Sequence, residues 1–97
     1  IQQAVDEFIR AMKLAYGLNV QRVFAAWDEV SGAAEYTSGR YFRDGVLHIT
    51  LNSSVVRSSL YMRRDELMRL INDRLAADPL FIKDDPSCRM VSKLILK

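Results

Sequence analysis

The chain has 97 residues, of which 49% are hydrophobic and 27% are charged. This length and composition predict a single domain spanning residues 1–97, with one modest core. The lone cysteine, Cys88, excludes an internal disulfide and a cysteine-based zinc site, and it favours a reducing, cytoplasmic compartment. No apolar run approaches the roughly 20 residues of a membrane helix, and no signal-peptide pattern is present. Because the chain begins at Ile1 rather than Met, we expect further residues upstream.

The net charge is only +2, but the charges are unevenly distributed along the chain. Residues 1–35 hold three basic and five acidic side chains, a net charge of −2. Residues 36–75 hold seven arginines and four acids, a net charge of +3. This basic segment favours a polyanion or an acidic protein as the partner, rather than a membrane.

Two helices are predicted before the first turn region. Apolar residues recur at helical spacing from Val5 to Tyr16, and Gly17 then supplies a C-terminal cap. Asn19 is placed to cap a second helix, which ends at Ser31-Gly32. The apolar stripe of that helix consists of Val20, Val23, Phe24, Trp27 and Val30.

A hairpin is predicted after a connector of residues 33–39. Its strands, Arg40–Arg43 and Val46–Leu51, flank Asp44-Gly45, a strong signal for a type I′ turn. A two-residue loop determines which side chains face the core and which face outward. The predicted core face consists of Phe42, Leu47, Ile49 and Leu51. The other face consists of Tyr41, Arg43, Val46, His48 and Thr50.

A long helix is predicted from Ser53 or Ser54 to about Ala77, where Asp78-Pro79 stops it. Its apolar arc consists of Val56, Leu60, Leu67, Leu70 and Ile71. After a loop, Met90–Lys97 alternates as a third strand, which the helical crossover should pair in parallel with the second. The predicted fold is α+β with the order α-α-β-β-α-β, a three-stranded mixed sheet with helices packed on one face.

One stripe of the long helix combines cations with an aromatic ring. Arg57, Tyr61 and Arg64 lie on one side of the helix, and neither arginine has an acid at contact spacing within it. Such a stripe suits phosphate contact and base stacking. The alternative is a solvated face whose arginines pair with acids of other elements. With Arg40 and Arg43 of the hairpin, these residues form the predicted nucleic-acid-binding set.

Two further positions on this helix allow more than one interpretation. Ser53 and Ser54 place free backbone N–H groups at a helix start, where a phosphate or carboxylate could bind. The alternative is that both serines only cap the helix. Arg63 falls in the apolar arc. The alternatives are that its stem snorkels to solvent, that its guanidinium meets Asp28 or Glu29 of the preceding helix, or that it forms an anion site.

Catalytic chemistry finds no support in the sequence. Neighbouring acids on a helix diverge by about 100° and cannot act as an acid–base pair. The chain carries a single histidine and no phosphate-binding glycine loop, so we predict no enzyme, metal or cofactor. Tyr41, Val46 and His48 on the hairpin are candidates for partner contact. His48 and Tyr41 are also placed to stack against a base, and ordinary surface is the alternative.

The ordered pattern from the tryptophan helix onward resembles the DciA-like family, long catalogued as a domain of unknown function. The first part of the pattern is an apolar residue, Trp, an acid, Val, a small residue and Gly. A Thr-containing connector follows, and then Gly-Val-Leu, an alternating strand, Ser-Ser and a helix with spaced leucines. Its elements here are Trp27, Glu29, Val30, Gly32, Thr37, Gly45, Val46, Leu47, Ile49, Leu51, Ser53, Ser54, Leu60, Leu67 and Ile71. The last strand, with Leu94 and Leu96, also fits.

The resemblance implies a KH-like domain of type II-like order that binds single-stranded or forked DNA, or RNA, and assists the bacterial replicative helicase. The chain departs from the family pattern at Ser31, Gly39 and Val56. It also lacks a G-x-x-G loop, so the usual KH mode of clamping RNA does not transfer. Three hypotheses follow: a nucleic-acid-binding accessory domain of bacterial DNA replication, a protein-interaction domain without nucleic-acid binding, and a KH-like RNA-binding protein.

Overall fold

The computed structural model describes the backbone of residues 2–82 and 90–97 and the side chains of residues 17–82 and 90–97. The elements are α1 (Gln2–Ser31), a 3-10 turn (Ala34–Tyr36), β1 (Thr37–Arg43), β2 (Val46–Leu51), α2 (Ser54–Met62), α3 (Arg64–Ala77) and β3 (Lys93–Leu96). β1 pairs antiparallel with β2, and β2 pairs parallel with β3. The predicted α+β fold with a mixed sheet is confirmed and is consistent with a KH-like arrangement. The apolar stripe between Val5 and Tyr16, and Cys88, lie outside the described side chains.

The hairpin has the predicted turn and register. Asp44 and Gly45 have φ angles of 53° and 78°, as a type I′ turn requires. Phe42 lies opposite Leu47, so the predicted core-face residues are buried. β1 begins at Thr37, earlier than predicted, because part of the connector pairs with the end of β2.

A single tryptophan lies at the centre of the core. Trp27 is fully buried, together with Leu47 and Ile49 of the sheet. Its Nε1–H donates to Thr37 Oγ1 at 3.1 Å, and the Thr37 hydroxyl donates to Ala33 O at 2.8 Å. The indole is therefore buried with its one polar group satisfied, and α1 is tied to the start of β1.

The predicted break between two N-terminal helices is wrong, because α1 continues through Gly17. Asn19 is fully buried and does not cap a helix. Its Nδ2 donates to Ile82 O at 2.8 Å, and the Ile82 N–H donates to its Oδ1 at 2.7 Å. A glycine inside a helix costs only about 1 kcal/mol relative to alanine, so this tertiary contact outweighs the local stop signal.

The predicted long helix is divided at Arg63, which has φ −107° and ψ 15°. The side chain of Arg63 is half exposed and lies 3.4 Å from Glu66. It therefore neither lies in the core nor meets Asp28 or Glu29. Leu60 of α2 and Leu67 and Ile71 of α3 are buried as the predicted arc requires, and α3 also buries Leu75.

The start of β3 is fixed by contacts with α3 and with the hairpin turn. Asn72 Nδ2 donates to Val91 O at 2.8 Å, and the Val91 N–H donates to Asn72 Oδ1 at 2.9 Å. The Gly45 carbonyl then accepts the N–H groups of Ser92 at 2.7 Å and Lys93 at 3.2 Å. These bonds set the parallel register in which Leu94 lies beside Leu47.

We predict that Gly45→Ala destabilises the fold more than Gly32→Ala does. Both glycines have positive φ angles, 78° and 62°, and an alanine at either position incurs a strain of about 1–3 kcal/mol. Only at Gly45 would the new Cβ lie 2.7 Å from Ser92 Oγ, whereas Gly32 has nothing within 4 Å. Urea unfolding of both variants measures the difference.

The Ser92→Ala substitution completes a double-mutant cycle for this contact. If the clash is real, the Gly45→Ala/Ser92→Ala protein loses less stability than the sum of the single losses. Additive losses, or equal losses for the two glycine variants, would contradict the close approach of β3 to the turn.

We predict that an ion pair at the end of α3 makes stability depend on acid pH. The hydrogen bond from Arg22 Nε to Asp78 Oδ2, at 2.5 Å, is the main cause that holds the pKa of Asp78 below its usual value. This bond therefore stabilises the fold above the unfolded-state pKa of about 3.9 and is lost as pH falls through the lower folded-state pKa.

Urea midpoints measured between about pH 7 and about pH 2.5 test this expectation. Asp78→Asn should be less stable than the parent near neutral pH, and the two curves should converge in acid. Asp44→Asn is the matched control, because Asp44 is 84% exposed and asparagine tolerates its positive φ. A constant gap between the parent and Asp78→Asn at every pH would refute the role of this carboxylate.

Candidate nucleic-acid interface

An exposed aromatic ring and a guanidinium lie together where α2 meets α3. Tyr61 is 56% exposed near the end of α2, and Arg64 is the first residue of α3. Arg64 Cζ lies 4.8 Å from the centroid of the Tyr61 ring, which is a cation–π contact. Residues 61–66 line a shallow depression of about 370 Å³ beside this pair.

Arg57 lies one turn before Tyr61 on α2 and is partly buried. Among the described residues, no carboxylate oxygen lies within 4.0 Å of its guanidinium. Arg64 differs from the sequence-based expectation, because its Nε lies 3.8 Å from Asp65 Oδ1. Since the Asp65 side chain is 94% exposed, this long ion pair contributes little.

The two arginines of β1 lie on opposite faces of the sheet. Arg40 faces the helices, where its Nη2 donates to Asp28 Oδ1 at 2.7 Å. Its buried Nε has no hydrogen-bond partner among the residues that the structure describes. Arg43 lies beside the turn with a 71% exposed side chain, 3.6 Å from Asp44. The structure therefore does not gather the five predicted nucleic-acid-binding residues into one patch.

The serine pair at the start of α2 is arranged as a helix cap. Ser53 has extended backbone angles, and its side-chain oxygen accepts the Val56 N–H at 3.3 Å. Ser54 is the exposed first residue of the helix. The capping alternative is thus observed at Ser53, and an additional role of Ser53 and Ser54 in anion binding stays a prediction.

The outer sheet face, defined as the strand positions that point away from the helices, holds the predicted partner-contact residues Tyr41, Val46 and His48. The rings of Tyr41 and His48 have centroids 5.6 Å apart and planes inclined by 51°. Parallel pairing also brings Lys93 and Lys97 of the third strand to this face. The alternation along this strand puts both lysines on the same side of it, but only the pairing with β2 aligns them with the rings.

In the part of the chain that the structure describes, no helix is long and apolar enough to cross a membrane. No group of three or more His, Cys, Asp or Glu side chains there is arranged to hold a metal ion.

Comparison with known families agrees with the pattern in the sequence. The family model described as "Dna[CI] antecedent, DciA" matches residues 1–80. No individually curated protein and no solved structure matches the chain. The family description is consistent with a role in DNA replication. Because the match covers most of the chain, including the hairpin and both halves of the divided helix, the chain belongs to the DciA family.

Proposed function

We propose that this domain binds single-stranded nucleic acid during bacterial DNA replication and assists the replicative helicase. The observation that carries the proposal is the exposed Tyr61–Arg64 stack on the same side of the helices as Arg57. The family description supports the link to replication. Single strands are the favoured ligand because their bases are free to stack on a protein ring.

Each residue of this stripe has a distinct task. Tyr61 offers a ring that is more than half exposed, and a stacked base contributes about 1–3 kcal/mol. Arg57 has no carboxylate within 4.0 Å in the described part of the chain, so no ion pair seen there must break before it contacts a phosphate. Arg64 holds the ring and must give up only its 3.8 Å contact with Asp65. The acids in the depression limit the affinity, because Asp65 and Glu66 repel a nearby phosphate.

We predict that Arg57→Ala/Arg64→Ala weakens single-strand binding and leaves the fold intact. Each lost phosphate contact should flatten the dependence of log affinity on log salt by about 0.7, so the double variant should lose about 1.4. Tyr61→Ala should weaken binding by about 1–3 kcal/mol, with a smaller effect on duplex DNA. Fluorescence anisotropy with labelled single-stranded DNA, RNA and duplex at several salt concentrations measures both quantities.

The matched control is Arg69→Ala/Arg74→Ala, which removes the same charge from elsewhere on α3. Arg69 lies 3.5 Å from Asp73, and Arg74 pairs with Glu29 of α1. If both double variants lose affinity equally, the effect is one of net charge and the stripe is not the site. Parent-like affinity and salt slope in Arg57→Ala/Arg64→Ala, with parent-like melting, would exclude this stripe as well.

A second candidate function, contact with the helicase protein, is favoured by exposed apolar side chains on α2. Val55 and Met62 are 77% and 87% exposed. They are seven residues apart, so they lie on the same side of the helix. Large apolar side chains on one exposed side are typical of protein-contact surfaces. This differs from the sequence-based expectation, which placed partner contact at Tyr41, Val46 and His48.

We predict that Val55→Ser/Met62→Ser weakens binding to the replicative helicase of the same bacterium and leaves single-strand binding unchanged. Truncating two apolar contact residues should weaken the complex by about 1–2 kcal/mol or more. Leu80→Ser is the control, because Leu80 is 53% exposed beyond the end of α3. Calorimetric titration compares the three proteins. Unchanged helicase affinity in the double variant, with a loss in Tyr41→Ala or Val46→Ser, would place the contact on the hairpin.

A further inference from the structure

The outer sheet face combines positive charge with aromatic rings and carries no acid at its strand positions. These positions are Gly39, Tyr41, Arg43, Val46, His48, Thr50, Lys93, Ile95 and Lys97. Three are cations and two are rings. By contrast, the depression beside Tyr61 is lined by two acids as well as two arginines. The outer sheet face is therefore the more favourable of the two surfaces for a polyanion.

The rings and one lysine border a shared depression on this face. Tyr41 is 52% exposed and lies next to His48. A depression of about 450 Å³ is bordered by both rings, Gly39, Thr50 and Lys97, with Arg40 at its edge. The volume is within the range of small-molecule sites, about 300–1,000 Å³, which suits a nucleobase.

The lysines of the third strand lie apart from the acids that the structure describes. No carboxylate within the described part of the chain lies within 4.0 Å of Lys93 or Lys97. They are four residues apart on one strand, which corresponds to about 13 Å. A single-stranded nucleic acid that runs along β3 can therefore contact one lysine on each side of a base that lies on the rings.

We propose that the outer sheet face is a second binding surface for single-stranded nucleic acid. Tyr41 and His48 stack with a base, and Lys93 and Lys97 contact phosphates on either side of it. This inference shares with the proposed function the class of ligand but none of the residues. Charge complementarity selects the occupant, because Lys93 and Lys97, with no carboxylate within 4.0 Å in the described part of the chain, match a phosphate chain better than a protein of mixed charge.

The test is a titration of labelled oligothymidylate with the parent protein and with variants of each surface. Tyr41→Ala should weaken binding by about tenfold or more. Its control is Tyr36→Ala, because Tyr36 is also exposed, at 43%, but precedes β1. Lys93→Gln/Lys97→Gln should reduce the salt slope by about 1.4, and Arg69→Gln/Arg74→Gln is the control of equal charge.

A second variant tests the outer sheet face even if Tyr41→Ala does not fold. Thr50 is exposed on the outer sheet face, so Thr50→Glu adds a negative charge beside the rings without removing a core side chain. It should weaken binding by at least several-fold while the melting temperature stays near that of the parent. If Tyr41→Ala has a lower melting temperature than the parent, binding by Thr50→Glu decides whether the outer sheet face is the site.

The outcomes separate this inference from the proposed function. Parent-like binding by Tyr41→Ala, Thr50→Glu and the lysine variant overturns the sheet surface, even if Arg57→Ala/Arg64→Ala is impaired. If the variants of the outer sheet face bind oligothymidylate more weakly while Arg57→Ala/Arg64→Ala binds it like the parent, the sheet surface is supported and the helical one is rejected. Sheet variants that lose helicase binding but keep oligothymidylate binding show a protein contact and overturn the inference.

Discussion

The parallel pairing of β3 with β2 is the contact on which the outer sheet face depends. Its anchor is the Gly45 carbonyl, which accepts the N–H groups of Ser92 and Lys93 and also the Ser92 hydroxyl at 3.1 Å. The turn that closes the hairpin therefore also receives the last strand. Without this register, the lysines of β3 would not be aligned with the rings of the hairpin.

Several of the opposite charges that make the sequence asymmetric pair with one another in the folded domain. The acidic first segment supplies Asp28 and Glu29, and these side chains pair with Arg40 and Arg74 of the basic segment. Such pairs hold α1 against the sheet edge and α3. The net charge of a segment thus overstates the positive surface available to a ligand. The cations that remain for binding are identified by checking each arginine and lysine for a carboxylate partner.

Local chemistry in the sequence was sufficient to predict the hairpin, because Asp44-Gly45 and the alternating strands determine their own register. It was not sufficient at Gly17 and Arg63. At Gly17 the helix continues, and Asn19 is hydrogen-bonded to Ile82 far along the chain. At Arg63 the helix breaks although no Gly or Pro marks the position in the sequence. The spacing predicted that Tyr61 and Arg64 share one side of the helix, whereas the alignment of Lys93 and Lys97 with Tyr41 required the tertiary pairing.

The paired bonds of Asn19 and Asn72 have a chemical consequence. Each amide donates to a carbonyl and accepts from the N–H of the same residue, Ile82 or Val91, as a neighbouring strand would. Aspartate has the same shape but two acceptor oxygens, so one of them would face a carbonyl oxygen across a hydrogen-bond distance. Spontaneous deamidation, which exchanges a single NH₂ for oxygen, would thus turn an attraction into a repulsion. At Asn72 the repulsion would fall on Val91, just before β3, and at Asn19 on Ile82, in the segment that follows α3.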